Sequence, residues 1–324
     1  MPIHNLGYRR WTGRLESSMS RWSVVAGIGI RRAWQSSWLR RVVFFAWVPA
    51  AAMGFMIFLF ERSAEDGGAS PEFFRGLSRL LLAQRGPTDM VQELIQSAQS
   101  STTPETLAQS RHQFWTTLML SLFQRSQAFI MIPIIGLIAP PLISQDVRSR
   151  AFLLYFSRPL TQFQYLLGKL ATILLYTTLV TLVPGLLLYT VGVLLSPGIG
   201  IVMHTWDIPL RVFAASAVIT IPSAILALTF SSLTTESRYA SFAWFAIWIF
   251  GYATHGALMA FSSSDTSVVL QSLSLFHLFR DLTGWILDVN TGVEDIQTRL
   301  SMLFALTGIS LAILVRRISA PMKV

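Results

Sequence analysis

Long apolar stretches alternate with polar connections along the whole chain, and their lengths predict membrane-spanning helices. An α-helix rises about 1.5 Å per residue, so about 20 apolar residues cross the roughly 30 Å hydrocarbon layer of a bilayer. Six stretches approach this length, and they cover residues 42–60, 127–143, 170–195, 212–231, 239–261 and 301–315. The predicted fold is therefore an all-α integral membrane protein with six transmembrane helices, in one domain over residues 42–324.

The residues before the first span, 1–41, form a polar leader with an amphipathic end. On a helical wheel, the segment from Ile30 to Arg40 has apolar side chains on one side and polar or basic side chains on the other. This pattern is typical of a helix that lies in the headgroup layer, with its indoles at the interface and its guanidinium groups on anionic lipid. A simple anchor and a more specific role are equally compatible with it. The predicted anchor residues are Trp34, Trp38, Arg31 and Arg32.

The distribution of charge fixes the predicted orientation. Residues 1–41 contain eight arginines and one acid, which places this end in the cytoplasm by the positive-inside rule. With six spans, the segments assigned to the inside hold sixteen Lys and Arg against three acids, and those assigned to the outside hold nine against thirteen. We therefore expect both termini in the cytoplasm and a multi-pass protein of the cytoplasmic (inner) membrane.

Two polar segments are predicted to lie outside. Residues 61–126 form an extracytoplasmic helical insertion in which Ser70–Glu72 and Thr103–Glu105 each carry an N-cap residue, a proline at the first helical position and an acid. A helix from Pro104 could run unbroken to Ile143. The helices of this insertion would form a small helical cap outside the membrane. This outer cap has either a structural or a substrate-related role. Residues 262–300 contain apolar stretches too short to span, which indicates an outer re-entrant or interfacial segment.

Composition excludes several classes of protein. The chain has 324 residues, of which 52% are hydrophobic and 13% charged, and it has no cysteine, so a soluble domain, a disulfide framework and thiol chemistry are excluded. The net charge of +9 follows from the topology, since the basic residues are not interleaved with aromatics on a soluble face as nucleic-acid binding requires. No nucleic acid partner is expected.

Residues that would carry chemistry inside the membrane are missing from the predicted spans. Their interiors hold no Asp, Glu, Lys or Arg, and His255 is the only ionisable side chain there, which argues against ion-coupled transport and intramembrane catalysis. The five histidines are scattered without metal-ligand spacing, and no G-x4-G-K-[ST] nucleotide loop occurs. We therefore expect neither an enzyme nor a bound metal or cofactor; if ATP drives the protein, another subunit hydrolyses it.

One polar loop, residues 144–169, separates the second and third predicted spans and has a pattern of its own. Aromatic residues recur there at helical spacing beside charged ones, which predicts a short amphipathic helix with a basic face. The aromatic residues are Phe152, Tyr155 and Phe156, and the charged ones are Asp146, Arg148, Arg150 and Arg158. Arg158 and Pro159 break that helix, and a new helix from about Pro159 or Leu160 would run through Gly168 and Lys169 into the third span. A partner protein that binds the first helix could displace it about the break, and the second helix would transmit that movement to the third span. We call this helix–break–helix segment the lever.

The sequence of this loop resembles the cytoplasmic coupling loop of type 2 ABC (ABC-2 type) exporter permeases. Their pattern reads roughly I-S-E-E-R-x-x-G-T-x-E-x-L-L-S-x-P-I-S-R and is followed by Leu-Leu-Gly-Lys. The matching residues here are Ile143, Ser144, Asp146, Ser157, Pro159, Leu166, Leu167, Gly168 and Lys169. The departures are Gln145 and Leu153, where the family has Glu, and Arg150, where it has Gly.

The resemblance implies a membrane subunit that pairs with a second, identical or different, six-span subunit on separate ABC ATPase subunits, which bind the ATP. The substrate pathway would lie between the two membrane subunits. A second, smaller coupling turn would contain Glu236 and Arg238, although a plain hairpin is the alternative for this turn. The residues that the resemblance assigns to ATPase coupling are Asp146, Arg148, Arg150, Tyr155, Arg158, Pro159, Gly168 and Lys169.

A rival hypothesis from another class is a membrane protein that transports nothing. In this reading the protein is a scaffold or sensor, its outer cap binds a partner, and the loop at 144–169 relays the bound state to the cytoplasm. Co-purification of a soluble nucleotide-binding protein would favour the transport hypothesis.

Overall fold

The structure, a computed structural model, describes residues 20–66, 104–126, 130–151, 160–196, 198–261, 274–289 and 295–319. Within these ranges the chain is almost entirely helical. The helices are α1 (Arg21–Trp34), α2 (Ser37–Phe45), α3 (Trp47–Asp66), α4 (Pro104–Ser126), α5 (Ile132–Arg148), α6 (Gln162–Val180), α7 (Leu182–Leu195), α8 (Val202–Thr205), α9 (Asp207–Leu233), α10 (Ser237–Phe261), α11 (Leu275–Ile286) and α12 (Ile296–Ser319).

Four helical stretches of the described chain are long and apolar enough to cross a membrane. They are Ser37–Arg62, Gln162–Leu195, Val202–Leu233 and Ile296–Ser319, and they coincide with the first, third, fourth and sixth predicted spans. The other two predicted spans are helices that do not meet this criterion. Helix α5 has 17 residues and is preceded by residues 127–129, outside the described part. Helix α10 has 25 residues.

We expected one amphipathic helix from Ile30 to Arg40, before the first span. The structure has two helices there instead. Helix α1 ends at Trp34, and α2 begins at Ser37. Between them Ser36 has an extended backbone, with φ −69° and ψ 118°, and its Oγ accepts the N–H of Leu39 at 3.3 Å. Serine is a preferred N-cap because its hydroxyl satisfies one of the free N–H groups of the next helix. The chain therefore turns at this point, which we call the elbow, and continues through α2 into α3.

Helix α9 is the centre of the bundle. It packs against α5, α6, α7, α10, α11 and α12. It is far more deeply buried than the other three candidate spans. The contact faces carry small side chains, which let helices approach closely: Thr181 at the end of α6 and Ser216 on α9 have hydroxyls 2.9 Å apart. A helix that is apolar on all sides and central in this way positions its neighbours.

The third predicted span is bent, since it consists of α6 and α7. The break falls at Thr181, where φ is −114° and ψ −65°. Pro184, three residues on, has no N–H to donate to the carbonyl of Val180, so the hydrogen-bond ladder is interrupted where the axis changes. The helix start predicted near Pro159 or Leu160 is instead at Gln162, because Thr161 and Gln164 form a capping box.

The outer segments are described in part. Helix α4 begins at Pro104 as the sequence predicts, whereas the helix start at Ser70–Glu72 lies outside the described residues. The chain is helical to Ser126 and again from Ile132, with residues 127–129 outside the described part, so a single helix to Ile143 stays a prediction. Within 262–300, α11 is one helix of 12 residues, too short to cross a membrane.

A buried ion pair joins the C-terminal part of α3 to α4. The Nε of Arg111 donates to both carboxylate oxygens of Glu61, at 2.9 and 3.0 Å, and a terminal nitrogen donates to Oε2 at 2.7 Å. The two side chains are 6% and 2% exposed. A bidentate, buried pair of this kind fixes the geometry between the first apolar stretch and the helix that follows the outer insertion.

Candidate functional site

The structure brings together several of the loop residues that the sequence singles out. Asp146 and Arg148 lie in the last turn of α5, and Gly168 and Lys169 lie in the second turn of α6. Residues 152–159 are outside the described part, and they include Tyr155, Arg158 and Pro159.

A buried ion pair connects the two ends of the loop. The Nζ of Lys169 is 2.7 Å from Oδ2 of Asp146, and their side chains are 10% and 11% exposed. The hydroxyl of Tyr165 donates to the same carboxylate oxygen at 2.7 Å, and Lys169 lies 5.2 Å from the centre of the Tyr165 ring. We call these three residues the loop clamp. It joins the end of α5 to the beginning of α6 and so holds the two described ends of the loop together.

Tyr165 was not among the predicted site residues. Its side chain is fully buried, and it stands four residues before Lys169 on α6, so both side chains lie on the same helix face. The four-residue spacing between Tyr165 and Lys169 is the sequence feature that could have identified Tyr165. A buried phenol needs a hydrogen-bond partner, and here the partner is the carboxylate that also neutralises Lys169.

A second connection links α5 to α9 at a pair of prolines. Pro140 and Pro141 interrupt the hydrogen-bond ladder of α5. One turn further on, the hydroxyl of Ser231 on α9 donates to the carbonyl of Pro140 at 2.6 Å and accepts the N–H groups of Ile143 and Ser144, each at 3.1 Å. The side chain of Ser231 thus enters the hydrogen-bond ladder of α5 and joins α5 to α9. No sequence pattern points to Ser231.

The second predicted coupling turn lies beside the first. The side chain of Arg148 is 3.1 Å from Glu236, and Arg238 is 3.9 Å from the same carboxylate. Ser144 and Ser237 have hydroxyls 2.9 Å apart. The arginine side chains are 66% and 78% exposed, and an exposed ion pair contributes roughly 0–1 kcal/mol to stability. These charges therefore form a surface that contributes little to holding the fold together.

The backbone at Arg150 corrects one expectation about the loop. We expected a single amphipathic helix to include Asp146, Arg148 and Arg150, but α5 ends at Arg148 with Ser149 as its C-cap. Arg150 follows with φ 53°, in the left-handed region. Its N–H donates to the carbonyl of Val147 at 3.2 Å, as in the usual helix-ending motif. Glycine is the common residue at this position because it has no Cβ, and the resembled pattern has glycine here.

Replacing Arg150 by glycine is expected to stabilise the protein by about 1 kcal/mol, because the left-handed conformation costs a residue with a Cβ about 1–2 kcal/mol. Thermal unfolding of the purified protein in detergent measures the effect. The matched control is Ser149→Gly, where φ is −83° and glycine has no conformational advantage. Equal shifts in both variants would contradict the assignment.

Gly168 allows the leader to pack on the third span. A Cβ added at Gly168 would lie 2.7 Å from Cβ of Val25 and 2.8 Å from the carbonyl oxygen of Trp22, both on α1. The hydroxyl of Tyr176 donates to the carbonyl of Ile30 at 2.9 Å in the same contact. Only glycine permits this approach, so the glycine of the Leu-Leu-Gly-Lys motif has a packing function here.

The predicted anchor residues lie around the elbow. Trp34 stacks on Tyr176 with ring centres 6.1 Å apart, and Trp38 is 66% exposed. Arg31 is exposed, and Arg32 donates a hydrogen bond to Oε1 of Gln145, the residue before the loop clamp. The leader is thus in contact with both α5 and α6 at the ends of the 144–169 loop.

Polar groups also meet at the opposite end of the bundle. His112 on α4 and Arg211 on α9 both bind Asp207, at 3.0 and 2.7 Å. Arg299 on α12 binds Asp281 on α11 at 2.6 Å. In the described ranges, no three His, Cys, Asp or Glu side chains are grouped so that they could hold a metal ion. These contacts join helices and offer no reactive group.

Two histidines at this end stack on each other. The ring centres of His255 and His277 are 3.4 Å apart, and Nδ1 of His277 is 2.8 Å from the hydroxyl of Ser274. Burial, together with the charges of His255, Arg280 and Arg299, lowers the pKa of His277 from 6.5 to about 4. His277 is therefore neutral in the folded protein at neutral pH.

The low pKa of His277 predicts a loss of stability in mild acid. Between pH 6.5 and about 4 the unfolded chain takes up a proton at this residue and the folded chain does not, so the free energy of unfolding falls as pH falls through this window. Unfolding temperatures measured from pH 7 to 4.5 should show this slope. His277→Asn should flatten it, and His204→Asn, at an exposed histidine, should leave it unchanged.

Comparison with known families gives one match that covers most of the chain. The model of a family described as "ABC-2 family transporter protein" matches residues 39–317. The match begins in α2 and ends in α12, so it includes all four candidate spans apart from their outermost residues, and both segments that the sequence predicts to be coupling elements. Among curated proteins, no sequence matched.

Proposed function

This chain belongs to the ABC-2 transporter family, and on that premise we propose that it is the membrane subunit of an ATP-driven exporter. It is an integral membrane permease with several spans. In the proposal two such subunits, each with six spans, enclose the substrate pathway and stand on separate ABC ATPase subunits in the cytoplasmic membrane. The ATP binds to those subunits, and this chain contributes neither a cofactor site nor a catalytic group.

The observation that supports this proposal is the connection of the 144–169 loop to three helices. The loop clamp joins α5 to α6, and Ser231 joins α5 to α9. A force on the loop would therefore reach two of the four apolar stretches, including the central one, without passing through a flexible connection. In the proposal α5 changes its angle near Pro140 and Pro141, because prolines inside a helix interrupt its hydrogen-bond ladder.

The structure changes the roles that we propose for individual residues. Asp146 and Lys169 are buried, so we assign them to positioning the loop, and Gly168 to packing against α1. The contact surface for the ATPase would include the exposed Arg148, Arg150 and Arg238 and the half-buried Glu236 at the two adjoining turns. Tyr155 and Arg158, which lie outside the described residues, stay in the proposal on the resemblance alone. Pro159 would act as the joint before α6.

Replacing Arg158 and Pro159 together by alanine is expected to uncouple transport from ATP hydrolysis while membrane insertion is retained, because the joint of the lever is lost. The measurement compares ATPase turnover with cargo movement in proteoliposomes that contain the full complex. A control, Arg62→Ala, changes an exposed arginine far from the loop. Unchanged cargo movement per ATP in the Arg158/Pro159 variant would contradict the assignment of the joint.

Two simpler measurements test the proposal as a whole. Co-purification should yield a soluble nucleotide-binding protein in equal number with the permease; a different partner would favour the scaffold or sensor hypothesis. Because the chain has no cysteine, Ser149→Cys gives one exposed thiol beside the loop. A membrane-impermeant reagent should label it from the cytoplasmic side, and labelling from the outside alone would refute the topology.

A further inference from the structure

A cavity of about 270 Å³ lies beneath the elbow between α1 and α2. We call it the elbow cavity. Its walls come from α1, from Ser36 at the elbow, from α5 and from Lys169 on α6. It thus lies where the leader, the end of the second predicted span and the beginning of the third meet, directly above the loop clamp.

The position of the elbow cavity along the membrane normal follows from the neighbouring charges. Arg40 and Arg41 are the last charged residues before the first apolar stretch, and Lys169 is the last before the third. Charged side chains give way to apolar ones at the headgroup layer of a bilayer. The cavity is therefore at the depth of lipid phosphates, with the exposed indoles of Trp34 and Trp38 at the same level.

The two sides of the cavity differ in chemistry. One side is polar, with Arg32, Lys169 and Asp146, which together carry one net positive charge. The bond from Arg32 to Gln145 uses one of the five N–H donors of a guanidinium group. The other side is apolar, and it is formed by Leu137, Ile138, Pro141 and Leu142 of α5. A ligand for this cavity has one anionic end and one hydrocarbon end.

The rim indicates which way the hydrocarbon end would point. Ile28 on α1 is 65% exposed and Leu137 on α5 is 42% exposed, although both line the cavity. Exposed apolar side chains in a protein that spans a membrane face acyl chains. The cavity therefore opens towards lipid on the side where its own wall is apolar.

We infer that the elbow cavity binds one glycerophospholipid with an anionic headgroup, its phosphate on Arg32 and the start of an acyl chain along Leu137. A neutral lipid would leave the net positive charge uncompensated, and a free anion would leave the apolar wall uncovered. Lipid in this position would bridge α1 and α5, and so would tie the leader to the helix that leads into the 144–169 loop. The inference requires a membrane protein but not an exporter.

Native mass spectrometry of the full-length permease, without any ATPase, tests the inference. The protein is purified in a neutral detergent and supplied with phosphatidylglycerol or phosphatidylcholine. We expect retention of one phosphatidylglycerol and about fivefold weaker retention in Arg32→Gln, since one basic group near a phosphate contributes about 1 kcal/mol. Arg40→Gln is the matched control, because it removes the same charge from an exposed residue that does not line the cavity.

A second pair of variants tests the apolar side. Leu137→Trp should fill the rim and reduce retention, whereas Leu175→Trp, at a 49% exposed position of α6 outside the cavity, should not. Equal losses in Arg32→Gln and Arg40→Gln would overturn the inference in favour of diffuse surface charge. Equal retention of phosphatidylcholine, or displacement of the lipid by inorganic phosphate, would overturn it as well. All of these outcomes are independent of whether the protein exports anything.

Discussion

Asp146→Asn is expected to lower the free energy of unfolding by roughly 3–5 kcal/mol, because it leaves the ammonium group of Lys169 buried without a counter-charge. The ion pair is 2.7 Å long and both side chains are about nine-tenths buried. The purified protein in detergent should lose roughly 5–10 °C in unfolding temperature. Cargo movement per ATP should also fall, since the two ends of the 144–169 loop are no longer held together.

The double variant Asp146→Asn with Lys169→Met separates charge from shape. It removes both charges and keeps an acceptor for the hydroxyl of Tyr165, so stability should largely return. Arg148→Gln breaks an exposed pair two residues away and should change stability by less than about 1 kcal/mol. If the single variant at Asp146 were no less stable than Arg148→Gln, the loop clamp would not be a buried ion pair.

The second large effect is expected at the other end of the bundle. Glu61→Gln should destabilise the protein by roughly 3–5 kcal/mol, because Arg111 keeps its charge in a site where it is 6% exposed. Glu61→Asp should fall between this variant and the wild type, since a shorter carboxylate cannot keep both hydrogen bonds to the guanidinium group. Unfolding temperature in detergent is again the measurement, and Arg62→Gln at the exposed neighbour is the control.

The two buried pairs should differ in their effect on function. Glu61 lies at the end of α3, far along the chain from the 144–169 loop, and none of its contacts described above reaches α5 or α6. The folded fraction of Glu61→Gln should therefore move the same amount of cargo per ATP as the wild type. A coupling defect in Glu61→Gln as large as that in Asp146→Asn would show that loss of stability alone explains both, and the positioning role of Asp146 would be wrong.

Local sequence signals predicted the helices but not always their ends. The start of α4 at Pro104 and the continuation of α6 through Gly168 and Lys169 were both predicted. The break at Ser36 was not predicted, because a serine in an amphipathic segment can lie on the polar face of a continuous helix or cap a new one. Which of the two occurs depends on whether α1 has a surface to pack on. That surface is α6, which lies more than a hundred residues further along the chain.

The sequence predicted which segment of the chain forms the candidate site, but not which side chains in that segment contact each other. The resemblance pointed to the 144–169 loop, and the family match includes it. It could not assign partners: Asp146 was expected to face an ATPase, and its carboxylate is instead bound by Lys169 and Tyr165 inside the protein. No sequence pattern identified Ser231, since its hydrogen bonds to α5 exist only because the packing brings α9 against the backbone of residues 140–144.

The sequence by itself determined that this chain is an integral membrane protein and which loop carries the family pattern, because these properties depend on the composition of contiguous residues. Only the tertiary structure decided that Asp146 and Lys169 are buried together, that Gly168 meets α1, and that Arg148 and Arg238 both lie near Glu236. The physical reason is that such pairings depend on how helices distant in sequence pack, and a buried charge selects whichever partner that packing brings within hydrogen-bond distance.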